Sequence, residues 1–496
     1  MDVETAIGQL SAVLANTYNP VQTIREDAER QLQSFLNISG SASVLLTIMS
    51  RVSTAPRDLR LSAALVMKNS VKEFWCSDAL MAENISRGGT VKTRNLSAEE
   101  RQSAKAALVD ILLNETDSAM RKCLAETIKK ITEWDPPEST WPELLPALVG
   151  NITLSDGCSP LRVYNAVVGI RKVLKRYQFS QEKRRELFDG MIQLVFPQLQ
   201  TLSQQLSGVH SVEAASVLHV SLKIFYSSVM NSLPRVQSVD ITFWFNLLAT
   251  LTNKSLPEAS ENLEPLGQPE RPEERELWPW WKVKKWATNI AQHLFMRYGN
   301  PKGCKEENEA FCKYFKDHGS MTLLGPIMNQ LQLKAQGRYI SEAVHRNCLS
   351  FMSSAVELST TYKAIKPYMA FFIGNVVVPS LCIKADEIAM FQEDPLEFVR
   401  KHNDIMEEFS DPGKMAQNLL QALVRYRTKD SLQFVLDHVM GVMQRFHAAG
   451  AAAQLEHYRE LDGAIVAVAS ISKVSQLRRR VEGQRSTSTS TGWLDD

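Results

Sequence analysis

The chain has almost no net charge: 56 Lys and Arg stand against 55 Asp and Glu, leaving +1 over 496 residues. No global field therefore draws it to nucleic acid or to an anionic membrane, and charge-driven binding must be local. Cysteine is sparse and dispersed. The seven cysteines are odd in number, form no Cys-x-x-Cys pair and have no paired histidine spacing beside them. That argues against a disulfide framework or a zinc module and leaves buried, reduced thiols of an intracellular protein as the expectation. No uninterrupted apolar run approaches bilayer-spanning length, so a soluble chain without membrane insertion is expected. The start, Met1-Asp2-Val3-Glu4-Thr5, lacks the basic and apolar regions of a signal peptide, which argues against secretion.

Catalytic signatures are missing as well. There is no Walker-type phosphate loop, no Gly-x-Gly-x-x-Gly, no His-Glu-x-x-His and no Gly-x-Ser-x-Gly, and the nine histidines are scattered. Gly88-Gly89 is too short to cradle phosphate. The clusters Arg171-Lys172 with Lys175-Arg176, and Lys183-Arg184-Arg185, have no interleaved aromatics, so they read as solvated faces rather than a nucleic-acid platform. No enzyme, no cofactor, no metal and no direct nucleic-acid partner are expected. A helical enzyme would need a pocket of perturbed titratable groups that sequence cannot display.

What is abundant is helical periodicity. Val163, Val167, Ile170, Leu174 and Tyr177 recur at four-three-four-three spacing, and Ala215, Leu218, Leu222, Phe225 and Val229 at three-four-three-four. Met120, Leu124, Ile128, Ile131 and Trp134 make a third stripe, stopped by Asp135-Pro136-Pro137. Stripes and breakers together predict helix pairs at 33–53 with 57–75, 97–113 with 117–134, 140–153 with 160–177, and 181–206 with 210–230. Two-helix units of about forty residues that repeat loosely fit HEAT-type repeats. The expected fold is all-α: a HEAT-repeat α-solenoid, a superhelical array of antiparallel helix pairs over 1–480. The alternative is a compact all-α bundle, but so long a chain of short helices would need several unrelated bundles.

Residues 80–96 read as a surface loop. Residues 253–279 hold five prolines and the glutamates Glu258, Glu261, Glu264, Glu270, Glu273, Glu274 and Glu276, which predicts a mobile acidic loop inserted in the array. Residues 481–496, with alternating Ser and Thr at 486–491, predict a disordered tail.

Several blocks resemble one family. Ala28-Glu29-Arg30-Gln31-Leu32, then Arg60-Leu61-Ser62-Ala63-Ala64-Leu65-Val66-Met67-Lys68-Asn69 closing on Phe74-Trp75, is similar to the N-terminal module of importin-β-type nuclear transport receptors. Independently of the name, Ala64, Met67, Val71 and Phe74 form one buried face, with Lys68 and Lys72 away from it. Pro279-Trp280-Trp281-Lys282-Val283-Lys284-Lys285-Trp286-Ala287, with Arg297-Tyr298-Gly299 after it, resembles the importin seven and eight branch. Here Val283, Ala287, Ile290 and Leu294 belong on a buried stripe and Lys282 and Lys285 on the solvated side. Glu393-Asp394-Pro395-Leu396-Glu397-Phe398-Val399-Arg400 is similar to a second block of that branch and reads as a helix N-terminus. Asp462-Gly463-Ala464 resembles a third, heading a further repeat helix.

The resemblance implies a monomeric import receptor that shuttles between cytoplasm and nucleus. It would carry protein cargo past the Phe-Gly repeats of nucleoporins at the pore and nuclear envelope, and release it when Ran in its GTP form binds. The N-terminal, Ran-binding module would span 28–101. In the family the second helices of the first repeats contact Ran, which makes Lys68, Asn69, Lys72, Lys122 and Lys129 the contact candidates. The seven glutamates of the acidic loop would attract a basic cargo, a class that includes ribosomal proteins and histones, or the basic side of Ran. Family members continue with many more repeats, so the expectation is a receptor's N-terminal half. The alternative function is a HEAT scaffold for a signalling or phosphatase-type complex, with no preference for the GTP state of Ran.

Overall fold

The computed structural model describes residues 3–75, 96–154, 159–179, 182–235, 239–257, 268–402 and 411–490, with backbone alone at 3, 182–184, 402 and 473–490. Among these residues the regular elements are helices, in two compact units. The first takes in Met1–Val209 with Ser216–Val239, and the second His210–Ala215 with Asp240–Asp496.

In the first unit the helices come in pairs: α1 (Val3–Asn16) with α2 (Gln22–Leu36), α3 (Ser41–Ser50) with α4 (Arg57–Trp75), α5 (Ala98–Asn114) with α6 (Ser118–Ile131), and α7 (Leu144–Val149) with α8 (Pro160–Tyr177). They are followed by α9 (Glu182–Ser207) and α10 (Val212–Val229). Helices α4, α6 and α8 each pack on their own first helix, and α6 packs on both α4 and α8, so the three lie side by side. The stripes explain this. Ala64, Met67, Val71 and Phe74 are all within 1% exposure, and the stripe from Val163 to Tyr177 is buried throughout.

The expected helix at 33–53 is instead two helices. Gly40 sits at φ 85°, a left-handed conformation that glycine adopts without a Cβ clash, and the chain turns there between α2 and α3. Glu100 holds the turn, accepting from the Gly40 amide at 3.2 Å while it completes a capping box with Ser97 on α5. The helix read to 134 ends at Ile131, and Trp134 is half-buried rather than part of the buried stripe. Of 140–153, only Leu144–Val149 is α-helical.

Buried polar groups join repeat to repeat. Arg60 on α4 pairs with Glu115 between α5 and α6, both shielded from solvent, and its Nε donates to the Met49 carbonyl at 3.0 Å. Asn165 on α8 donates to the carbonyls of Leu113 and Glu115 at 3.2 and 2.9 Å. Arg60 thus ties α4 both to the end of α3 and to the residue after α5, and Asn165 ties α8 to the end of α5, the Met49, Leu113 and Glu115 carbonyls being among those a helix end leaves open.

The second unit contains α11 (Ile241–Asn253), α12 (Pro272–Leu277), α13 (Pro279–Leu294), α14 (Glu309–Tyr314), α15 (Ser320–Ala335), α16 (Glu342–Ala355) and α17 (Ser359–Ile365). After them come α18 (Ala385–Glu393), α19 (Pro395–His402), α20 (Pro412–Ala448) and α21 (Ala451–Ser490). Here α11 packs on α13, α15 on α16, and α13, α16 and α20 lie side by side. Val283, Ala287, Ile290 and Leu294 are fully buried, Lys285 is exposed and Lys282 half-buried, as the stripe requires. Asp394 caps α19, its Oδ1 accepting from the amides of Leu396 and Glu397.

Three expectations are corrected here. The helical run Ser359–Glu393 is by length and composition apolar enough to cross a membrane. Its apolar side chains Phe372, Ile373, Val376 and Val377 are nevertheless buried in the array. Asp462-Gly463 heads no helix but lies within α21, where Asp462 Oδ2 accepts from the Ile383 amide at 3.0 Å. A Cβ at Gly463 would stand 2.6 Å from Cys382 Sγ, so glycine there permits a close helix crossing. Finally, α21 continues to Ser490, into the stretch read as a disordered tail.

Cys123, Cys312 and Cys348 are buried free thiols, while Cys304 and Cys382 are half-buried; Cys76 and Cys158 lie outside the described residues.

Candidate functional site

The side of α4, α6 and α8 not spent on packing is basic. Asn69, Lys72 and Lys122 are exposed, and Lys68 and Lys129 are half-buried. The structure thus places all five predicted residues on two adjacent helices. It also joins them to Lys130, Glu126 and Lys172. Lys130 Nζ donates to the Lys68 carbonyl at 3.3 Å, linking α6 to α4. Glu126 accepts from Lys129 at 2.8 Å and from Lys172 on α8 at 2.6 Å. Burial pushes the Glu126 carboxyl up, but the hydrogen bonds from Lys129 and Lys172 outweigh it and carry the pKa down to about 2. Glu126 therefore stays ionised and acts as a clamp between two lysines.

Arg171 is the residue that sequence reasoning misplaced. It was grouped with Lys172 as a solvated cluster. Yet its Nε and Nη1 are shielded from solvent with no hydrogen-bond partner among the described residues. Burial alone lowers its pKa to about 10. A guanidinium desolvated without an acceptor is costly, and a carboxylate or phosphate delivered to it would relieve that cost. The sequence signal was available in outline, since Arg171 follows Ile170 of the buried stripe and precedes Lys172, but helical phase alone cannot say which neighbouring helix shields it.

The acidic loop is only partly a loop. Glu258, Glu261 and Glu264 lie outside the described residues, and Asn253 is the last residue of α11. Glu270, Glu273 and Glu274 are exposed at and within α12. Glu276 departs from its expected role. It accepts from Ser341 Oγ at 2.8 Å and from the Glu342 amide at 2.7 Å, which caps α16 and leaves it unsuited to attract a distant partner.

A second buried cation was also missed. Lys284 on α13, between the solvated Lys282 and Lys285, points inward and donates to the Thr252 carbonyl at 2.8 Å and to Gln330 Oε1 at 3.0 Å. Burial lowers its pKa to about 7. It ties α11 and α15 to α13 and is remote in sequence from the basic row. Among the described residues, no group of three or more His, Cys, Asp or Glu is placed to hold a metal ion.

Comparison with known proteins agrees with this architecture. The Importin-beta N-terminal domain model matches residues 28–114, and the Cse1 model matches residues 309–489. The Importin beta-like SAD2 homolog of Arabidopsis thaliana is 26% identical over 464 residues, covering 92% of this chain and 42% of the relative. Importin-8 of Homo sapiens is 25% identical over 424 residues, covering 85% of this chain and 39% of the relative. The solved structure of the exportin Cse1 in its cargo-free, cytoplasmic state superposes with a TM-score of 0.67 at 15% identity, covering 94% of this chain and 46% of that one, which establishes a shared fold. The chain spans about two-fifths of the length of the curated relatives it matches. With two matching domain models in chain order, relatives aligned along most of its length and the same HEAT-repeat solenoid fold, the chain belongs to the importin-β superfamily, on the branch similar to the importins seven and eight.

Proposed function

We propose that this chain supplies the Ran-facing and part of the cargo-carrying region of a nuclear import receptor. The observation that carries the reading is the basic row on α4, α6 and α8, within and just beyond the matched N-terminal domain, with an unpartnered guanidinium at Arg171. Lys68, Asn69, Lys72, Lys122 and Lys129 present polar and cationic groups to an acidic surface of Ran in its GTP form, and Arg171 receives one of its carboxylates. Glu126 holds Lys129 and Lys172 in place, so less side-chain entropy is lost on binding. Glu270, Glu273 and Glu274 remain as the described glutamates available to a basic cargo, whose electrostatic pull would raise association rate more than affinity. Phe-Gly nucleoporins and passage between cytoplasm and nucleus complete the reading. No chemistry is asked of the chain.

The test is binding to Ran loaded with GTP or GDP. A preference for the GTP form is expected, with Lys72→Glu plus Lys122→Glu weakening it by about tenfold or more. Equal or absent binding to both forms would favour a scaffold role.

Export is the second reading, favoured by the Cse1 domain match at 309–489 and the exportin fold neighbour. The two differ in sign of coupling. Ran in its GTP form displaces cargo from an import receptor and strengthens its hold in an export receptor.

A further inference from the structure

The connection from α13 to α15 in the second unit brings two sulfurs together. A cleft of about 620 Å³ opens among residues 301–317, and Cys304 and Cys312 both line it. Cys304 is half-buried on the loop before α14, whereas Cys312 is buried, at 5% exposure, on α14 itself. The Cys312 thiol has Cys304 as its hydrogen-bond partner, and the Cys304 thiol in turn donates to the Lys305 carbonyl at 3.4 Å. Burial pushes the Cys312 thiol up to about 11, and the bond to Cys304 pushes the same way. Cys312 therefore keeps its proton at neutral pH, and Cys304 is the sulfur that a solute reaches. The exposed Lys305, Lys313 and Lys316 line the same cleft and give it the local positive charge that favours reactive thiols.

Each sulfur is anchored to a different part of the unit. Phe311, beside Cys312, packs on Phe245 of α11 and on Tyr298, with ring centroids 6.1 and 5.9 Å apart. The loop that carries Cys304 reaches the other way. Asn300 donates to Glu357, just after α16, at 3.1 Å, and the Lys302 ammonium stands 4.2 Å from the centre of the Tyr426 ring on α20. A bond between the sulfurs fastens that bridge to α14 and removes the freedom of the loop between them.

We propose that Cys304 and Cys312 are a thiol pair that hydrogen peroxide oxidises to a reversible disulfide, fixing the loop at 300–308 against α14. In the first step the Cys304 sulfur attacks one peroxide oxygen. The S–O bond forms, the O–O bond breaks, and the departing hydroxide takes up the thiol proton as water. In the second step the Cys312 sulfur attacks Cys304. The S–S bond forms, the S–O bond breaks, and the departing hydroxide takes the Cys312 proton as a second water. Two thiols lose two electrons and two protons, and one peroxide becomes two waters. A dithiol reductant restores both thiols by exchange and is itself left as a disulfide. From hydrogen-bonding range, an S–S bond of about 2 Å asks only for side-chain rotation and a small shift of an exposed loop. The device goes beyond the transport reading and does not depend on Ran.

To test it, the reduced chain is treated with hydrogen peroxide, the remaining thiols are alkylated and the protein is digested with trypsin. Cleavage after Lys302, Lys305 and Lys313 should release Gly303–Lys305 joined to Glu306–Lys313, and dithiothreitol should separate the two. Dimedone, which traps sulfenic acid, should label Cys304 in a Cys312→Ala variant about tenfold more than in the parent, and more than it labels half-buried Cys382. Oxidation should slow amide hydrogen exchange over 300–308 by about tenfold in the parent and leave it unchanged in Cys304→Ser, which separates the bond from methionine oxidation. Absence of the joined peptide, its formation only in urea-unfolded protein, sulfenic acid at Cys382 in preference to Cys304, or exchange that oxidation leaves unaltered would each overturn the proposal. None of these readouts involves Ran, so they leave the transport reading to its own test.

Discussion

Trp75 and Asp135 are sixty positions apart and share one hydrogen bond: the indole Nε1 donates to Oδ2 at 2.9 Å, with both side chains buried. The same oxygen receives Lys105 Nζ at 2.6 Å. The last residue of α4 is therefore fastened to the stop after α6 and to α5 at one atom. Two sequence signals with separate local meanings, a terminal tryptophan and an Asp-Pro-Pro breaker, are a single structural joint.

Trp75→Phe should keep most of the apolar burial and lose that bond. The expected cost is about 2 kcal/mol, from one buried hydrogen bond and a small packing defect. Urea unfolding checks it. An unchanged midpoint would mean that Lys105 alone satisfies Asp135.

Gly463→Ala tests the crossing of α21 over residues 378–382. The new Cβ would meet Cys382 Sγ at 2.6 Å and the Val378 carbonyl at 3.0 Å. A loss of about 1–3 kcal/mol from overpacking should outweigh the gain of about 1 kcal/mol from helix propensity. Adding Cys382→Ala removes the nearer atom and should restore part of the loss, a coupling that thermal melts of the two singles and the double would reveal.

Lys284 gives the second unit a distinct pH dependence. Its pKa is about 7 in the folded protein and near its ordinary 10.5 when unfolded. Below pH 7 both states carry the proton, and the folded state bears the burial penalty in full. Between those two values the unfolded state holds the extra proton, so the lysine's contribution makes stability rise with pH and level off above 10.5. Denaturation across pH 7 to 9.5 should show that rise, and Lys284→Met should flatten it. A variant with the same slope as the parent would show that Lys284 titrates normally.

Much of the helical content was legible because burial on one side of a helix leaves a local mark. The stripes at 64–74, 163–177, 215–229 and 283–294 each fell on an observed helix with the expected face inward. Boundaries were harder. Gly40 divides 33–53 because its left-handed φ turns the chain, a choice that apolar spacing cannot register. The five contact candidates fall on α4 and α6, within the helices expected from the sequence, but the links that Lys130 and Lys172 make to them are not visible in the spacing. Their grouping depends on which helix packs beside which.

The sequence by itself determined the repeating unit, the buried face of each helix and the family resemblance, since these follow from residue type and a spacing of three or four. Tertiary structure decided the pairings between repeats: Trp75 with Asp135, Glu126 between Lys129 and Lys172, Lys284 inward while Lys282 and Lys285 face out, and Glu276 as a cap rather than a lure. Helical period reports which side of a helix avoids water. It carries no information about which distant group will stand opposite a buried charge, and that group sets whether the charge is clamped, neutralised or left unpartnered.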